Sequence, residues 1–178
     1  FEDPSTIAAI FVEPIGGAVG GYMPPVEYMK TLRSFCTEHG IVLVADEVLT
    51  GFGRTGEWFA VNHADVAPDM MVMAKGLTAG YAPLGALGVR SDLASYFDEE
   101  RLWAGLTGYA HPISCAAALA TLQVLEAEGL IERSRSLGLV LDARLKKMAE
   151  RFPRMGEGRA MGLYGVIEFV GDSGERSL

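Results

Sequence analysis

Residues 41 to 75 read IVLVADEVLTGFGRTGEWFAVNHADVAPDMMVMAK, and this stretch decides the fold. It opens on an apolar run, Ile41 to Ala45, that ends in a carboxylate, Asp46. It closes on a second apolar run ending in an amine, Lys75. A continuous apolar run bounded by polar or turn residues suits a strand buried on both faces. Ligands of open α/β sheets bind outside the carboxyl ends of such strands. An acid and a lysine are therefore expected at one edge of one sheet. An earlier run, Ile7 to Val12, also ends in an acid, Glu13. Three apolar runs, each ending in an ionisable residue, mark a candidate site.

Working outward, Pro14 biases Glu13 towards an extended conformation. Gly16, Gly17, Gly20 and Gly21 make a loop, either a plain turn or a close approach to a ligand. Pro24-Pro25 opens a helix whose apolar face is Val26, Met29, Leu32 and Phe35 or Cys36, with Gly40 as its stop. Strand, helix and strand then form a right-handed βαβ unit, so a mostly parallel sheet with helices on both faces is expected. Further strands are expected at Asp69 to Ala74 and Gly85 to Val89. Ser91 is expected to cap a short helix reaching about Phe97. Helices follow from Pro112 to about Glu128 and from Leu130 to Arg151, separated by Gly129. A last strand is expected at Leu163 to Val170.

The chain has 178 residues, enough for a sizeable core, and a net charge of −8. That charge argues against broad nucleic-acid binding and against attraction to an anionic membrane. No apolar run approaches the roughly 18 residues of a spanning helix. Cys36 and Cys115 read as free buried thiols of a reducing compartment, so a cytoplasmic location is expected. His39, His63 and His111 are scattered, with no metal-binding spacing. The chain opens on Phe1-Glu2-Asp3-Pro4 and stops just after a good strand, so it reads as a central segment of something longer.

Gly51-Phe-Gly53-Arg-Thr-Gly56 matches GxGxxG, but it lies several residues past its strand and leads into Trp58-Phe59 rather than a helix face. It is a weak match to a dinucleotide fingerprint. No GxSxG elbow occurs. Asp46 and Lys75 point elsewhere. A lysine buried at a strand end is costly unless paired or chemically used. Pyridoxal phosphate (PLP) chemistry needs a lysine to hold the aldehyde as a Schiff base and a carboxylate to keep the ring nitrogen protonated.

The segments AAIFVEPIGGAVGGYMPP, ADEVLTGFGRTGEWFA, PDMMVMAKGLTAGYAPLGA and LTGYAHPISCAAALATLQVLE occur in this order and cover most of the chain. Together they resemble class III aminotransferases of PLP fold type I. The resemblance implies that residues 1–128 are part of the PLP-binding large domain and that 129–178 begin the smaller C-terminal α+β domain. It implies that Lys75 forms the Schiff base and shuttles the proton, and that Asp46 pairs with the pyridine nitrogen. Val48 would pack on the ring. Thr107 would serve the cofactor phosphate across a homodimer interface, and Glu13 would support the site. Arg54 of GFGRTG is expected to be structural. Two positions depart from common family patterns: Leu49 stands in place of glutamine, and Ala18 in place of a glutamate. Both resemble the ω-amino acid:pyruvate branch. The implied reaction takes an amino donor, an ω-amino acid or amine, and a 2-oxo acid acceptor. The family's phosphate-cradling N-terminal half and its C-terminal arginine region have no match here, so the chain alone is expected to be inactive. Other readings are an aminomutase of the same family, or a non-catalytic truncated paralogue acting as dimer partner.

Overall fold

The computed structural model describes residues 3–171. The readings placed on Phe1-Glu2 and on the last residues from 172 lie outside them. Strand β1 is Ala9–Val12, helix α1 Val26–His39 and strand β2 Val42–Asp46. β1 and β2 pair in parallel, with Val12 opposite Ala45. Pro25 precedes the first turn of α1, and Gly40 ends the helix in the left-handed region at φ 66°. The Gly40 turn also turns the chain straight back into β2, since the amide of Ile41 bonds the carbonyl of Cys36 at 2.8 Å.

Strand β3, Met70–Met73, pairs in parallel with β2, placing Asp46 opposite Val72. Strand β4, Ala86–Val89, is antiparallel to β3, so the order is β1-β2-β3-β4 with an antiparallel edge. The connection from β3 to β4 carries only the 3-10 turn Lys75–Leu77 and no α-helix, unlike the helical crossover that joins β1 to β2. The face carrying Leu43 and Ala45 packs with Ile10, Val12 and Met71 against Met29 and Cys36 of α1. Val44 and Asp46 take the opposite face, as strand alternation requires. On that face of β1, Phe11 is 74% exposed.

The short helices α2, Ser91–Ala94, and α3, Tyr96–Glu99, follow. Ser91 is the first helical residue rather than the cap. Arg90 holds the cap position without a side-chain cap bond, its guanidinium being drawn to Asp92 and Asp69. Helix α4 is Pro112–Ala127 and α5 is Leu130–Arg151. Among the described residues no single helix is long and apolar enough to cross a membrane; α4 and α5 combine the length and the apolar composition only as a pair bent by 66°. Cys36 is buried and Cys115 only half-buried, and both thiols are free.

The sequence reading missed strand β5, Met155–Met161, which pairs antiparallel with β6, Tyr164–Phe169, in a separate two-stranded sheet against α5. Its sequence, MGEGRAM, lacks β-branched residues and alternation, so pairing with β6 and packing on α5 decide its state. Gly156 lies within this strand, and α5 closes at Phe152. Here Gly138 of α5 meets the β5–β6 turn backbone to backbone: a Cβ at position 138 would stand 2.5 Å from Gly162 Cα and 2.6 Å from its carbonyl oxygen.

Candidate cofactor site

β1, β2 and β3 are parallel neighbours, so Glu13, Asp46 and Lys75 all leave the sheet at its carboxyl edge. Asp46 is the last residue of β2 and is half-buried. Its Oδ1 accepts the Val48 amide at 3.0 Å, which folds the chain back on itself directly after the strand. No other described residue hydrogen-bonds this carboxylate, so acceptor capacity remains on a group fixed at a strand end.

Lys75 lies two residues beyond the end of β3, at the start of the single 3-10 turn Lys75–Leu77. Its backbone φ is +36°, in the left-handed region. A non-glycine residue held there costs about 1–3 kcal/mol and persists only where its surroundings impose it. The next residue, Gly76, is packed closely: a Cβ there would lie 3.0 Å from Phe52 Cβ and 3.3 Å from the Gly51 carbonyl oxygen. Within this chain Lys75 is exposed, contrary to the expectation of burial, because it sits past the last paired residue of β3. It forms no ion pair among the described residues.

Glu13 is half-buried, and its Oε2 accepts the Gly17 amide at 2.9 Å. This bond closes the glycine loop over the end of β1. Leu49 and the Tyr164 hydroxyl crowd the space at Gly17, and Val166 fills that at Gly21. Arg159 Nη2 donates to the Gly20 carbonyl at 3.2 Å. The loop after β1 is thus held by β5 and β6 at a distance of about 140 residues in sequence. Val48 is half-buried beside Asp46. Thr107 is not brought to this edge by any bond among the described residues. It lies in a wholly exposed stretch with Trp103, Leu106 and Tyr109, each at least 75% exposed.

GFGRTG cradles no ligand helix. Gly162 packs onto the Thr55–Gly56 peptide, and the Leu163 amide donates to the Arg54 carbonyl at 2.9 Å. This loop is a seam against the β5–β6 turn and α5.

Glu47 is the residue the sequence reading passed over. It is wholly buried, next to Asp46. Its Oε1 accepts the Val61 amide at 2.9 Å, and its Oε2 accepts the Ala60 amide at 3.0 Å and the Thr50 hydroxyl. An acid directly after a buried strand, followed by threonine and glycine, was the available signal. Carboxylates are seldom fully buried, so nothing in the pattern alone sets it apart from a solvated neighbour.

The aminotransferase class-III family profile matches residues 2–177. The chain belongs to the class-III aminotransferase family. It is 44% identical to the 5-aminovalerate aminotransferase of Pseudomonas putida, over 93% of this chain and 38% of that protein. It is 37% identical to the putrescine–pyruvate aminotransferase of Pseudomonas aeruginosa, over 92% of this chain and 36% of that protein. The crystal structure of taurine:2-oxoglutarate aminotransferase from Bifidobacterium kashiwanohense, in complex with PLP and glutamate, superposes with a TM-score of 0.93 at 37% identity, covering 97% of this chain and 39% of that one. The chain of this class-III family member therefore spans about two fifths of the length of its relatives. Its mixed sheet with helices is the PLP fold type I arrangement, and class-III aminotransferases use PLP.

Proposed function

We propose that this chain carries the lysine and aspartate half of a PLP-dependent transaminase site, within a longer polypeptide that supplies the remainder. The observation that carries the reading is the delivery of Asp46 and Lys75 to one edge by the parallel neighbours β2 and β3. The fit is chemical. Asp46 keeps acceptor capacity for a protonated ring nitrogen, and Lys75 offers an exposed amine with no described carboxylate beside it. The left-handed backbone at Lys75 is the kind of imposed conformation found at functional sites.

When bound, PLP supplies an aldehyde that condenses with amines and a ring that draws electrons from the bond being broken. Lys75 Nζ would anchor the cofactor and carry the proton from the donor's Cα. Asp46 would hold the ring nitrogen protonated, and Val48 would pack on the ring. Glu13 supports the loop at the end of β1. Thr107 serves the phosphate across a homodimer interface, which would also cover Trp103, Leu106 and Tyr109. Residues 1–128 belong to the large domain and 129–178 to the small one. The amino donor is an ω-amino acid or amine, and pyruvate is the acceptor; apolar Leu49, packed towards Gly17, and Ala18 favour this branch. The protein is cytoplasmic. The 178-residue chain alone is inactive, since phosphate contacts carry much of the affinity.

The test is PLP addition, borohydride reduction and intact-mass measurement, on this chain and on the complete gene product. One pyridoxyl group, lost in Lys75→Ala, is the expected result for the complete protein. Equal labelling of Lys75→Ala in the complete protein would overturn the assignment. Transamination of ω-amino donors with 2-oxoglutarate but not pyruvate would overturn the acceptor alone.

A further inference from the structure

Glu47 takes three hydrogen bonds on two oxygens while wholly buried. Its backbone is tied as firmly. Its amide donates to the Val72 carbonyl at 2.9 Å, and its carbonyl accepts the Gly51 amide at 2.8 Å. One residue thus joins the end of β2 to β3, to the turn 47–51 and to the start of the 3-10 segment Ala60–Ala64. The ring of Phe52 meets that of Phe59, the residue before Ala60, edge to face at 5.4 Å. The turn so fixed touches both candidate residues. On one side the Val48 amide orients Asp46. On the other, Gly51 and Phe52 abut Gly76, the residue next to Lys75, whose backbone is left-handed.

We propose that Glu47 is a positioning residue, an internal clamp that sets Asp46 and Lys75 relative to each other through the 47–52 turn. Its carboxylate replaces water as the acceptor for two amides at the start of a 3-10 segment and for one hydroxyl. An amide in its place would turn one acceptor into a donor facing donors. The displaced turn would then release both the Val48 amide and the Gly76 contact. That these two residues serve a transaminase rests on the reading above; the clamp itself does not.

The experiment is amide hydrogen exchange on the cofactor-free complete gene product, comparing wild type with Glu47→Gln and Thr50→Val. For Glu47→Gln, exchange is expected to rise about tenfold or more at 48–52 and 75–79, with β5 and β6 unchanged. Thr50→Val removes one of three donors and should give the same pattern, weaker. The borohydride-trapped labelling rate of Lys75 should fall in parallel. A rise confined to 60–64 would make Glu47 a simple cap and overturn the proposal. So would a uniform rise that includes β5 and β6, which would indicate loss of global stability. Should Glu47→Gln fail to fold, Thr50→Val decides: no change at 75–79 overturns the clamp. Because exchange needs no cofactor, a clear pattern without any PLP adduct would sink the transaminase reading and leave the clamp standing.

Discussion

Arg33 Nη1 donates to Asp69 Oδ2 at 2.8 Å, and the same oxygen accepts the buried Leu43 amide at 2.7 Å. Arg90, just past the end of β4, pairs with the other oxygen. Helix α1 and strands β2 and β4 therefore converge on one carboxylate at the start of β3, at the sheet edge opposite Asp46 and Lys75. Burial pushes the Asp69 carboxyl up. The Leu43 hydrogen bond, that from Arg33, and the charges of Arg33 and Arg90 outweigh it and hold the group below its ordinary value.

Replacing Asp69 by alanine should lower stability by about 2 kcal/mol, because the Leu43 amide is left buried without an acceptor. A chain of this size would lose about 4–8 °C in Tm. The pH dependence has a definite sign. The folded-state value lies below the ordinary 3.8, so the unfolded chain takes up the proton first as pH falls. The contribution is full above that ordinary value and is lost as pH drops through the lower folded one. Urea titrations at a series of acidic pH values should show the gap between wild type and Asp69→Ala narrowing, since a protonated Asp69 loses its ion pairs but can still accept the Leu43 amide, and an unchanged gap at low pH would refute the linkage.

Gly138→Ala should be strongly destabilising, by about 1–3 kcal/mol or more, since its methyl group would meet the Gly162 backbone rather than a movable side chain. Ala143, also on α5, provides a comparison site away from that seam for a small-residue substitution. Chemical denaturation of both variants is the measurement. Proteolysis should also become faster near Gly162 in Gly138→Ala.

The left-handed backbone at Lys75 gives a prediction independent of chemistry. Lys75→Gly should be more stable than Lys75→Ala by about 1 kcal/mol, because only glycine occupies that region without a Cβ penalty. Equal stabilities in thermal melts would mean the turn relaxes once the lysine is gone.

Asp46→Asn keeps an oxygen able to accept the Val48 amide, so its melting temperature should stay within a degree or two of wild type, roughly the scatter of a conservative surface change. On the proposed reading the charge that would face the ring nitrogen is removed, and kcat/KM of the complete gene product should fall at least about tenfold, or ~1.4 kcal/mol of transition-state stabilisation. A variant that melts early but turns over normally would give Asp46 a structural part only.

The strand–helix–strand unit was legible because its signals are local. Apolar runs at Ile7–Val12 and Ile41–Ala45 form strands at Ala9–Val12 and Val42–Asp46, and Pro25 and Gly40 bound the helix between them. The carboxyl-edge placement of Asp46 and Lys75 follows from parallel pairing, which the βαβ pattern implies. Family membership was legible for a related reason: several short motifs stand in one order along one chain.

What the chain could not show by pattern depends on partners distant in sequence. β5 has no strand composition and exists because β6 and α5 cover it. The burial of Glu47 is set by amides 13 and 14 residues onward, and an acid pattern carries no record of which donors will surround it. Lys75 is exposed past the last paired residue of β3 and left-handed, beside a Gly76 that packs on Gly51 and Phe52 from a distant turn. Local sequence thus determined the strands, the helix and the candidate pair of residues, through hydrophobic period and turn chemistry. Tertiary packing decided the hairpin, the buried clamp and the backbone state of Lys75, since each is fixed by atoms that only the folded chain brings together.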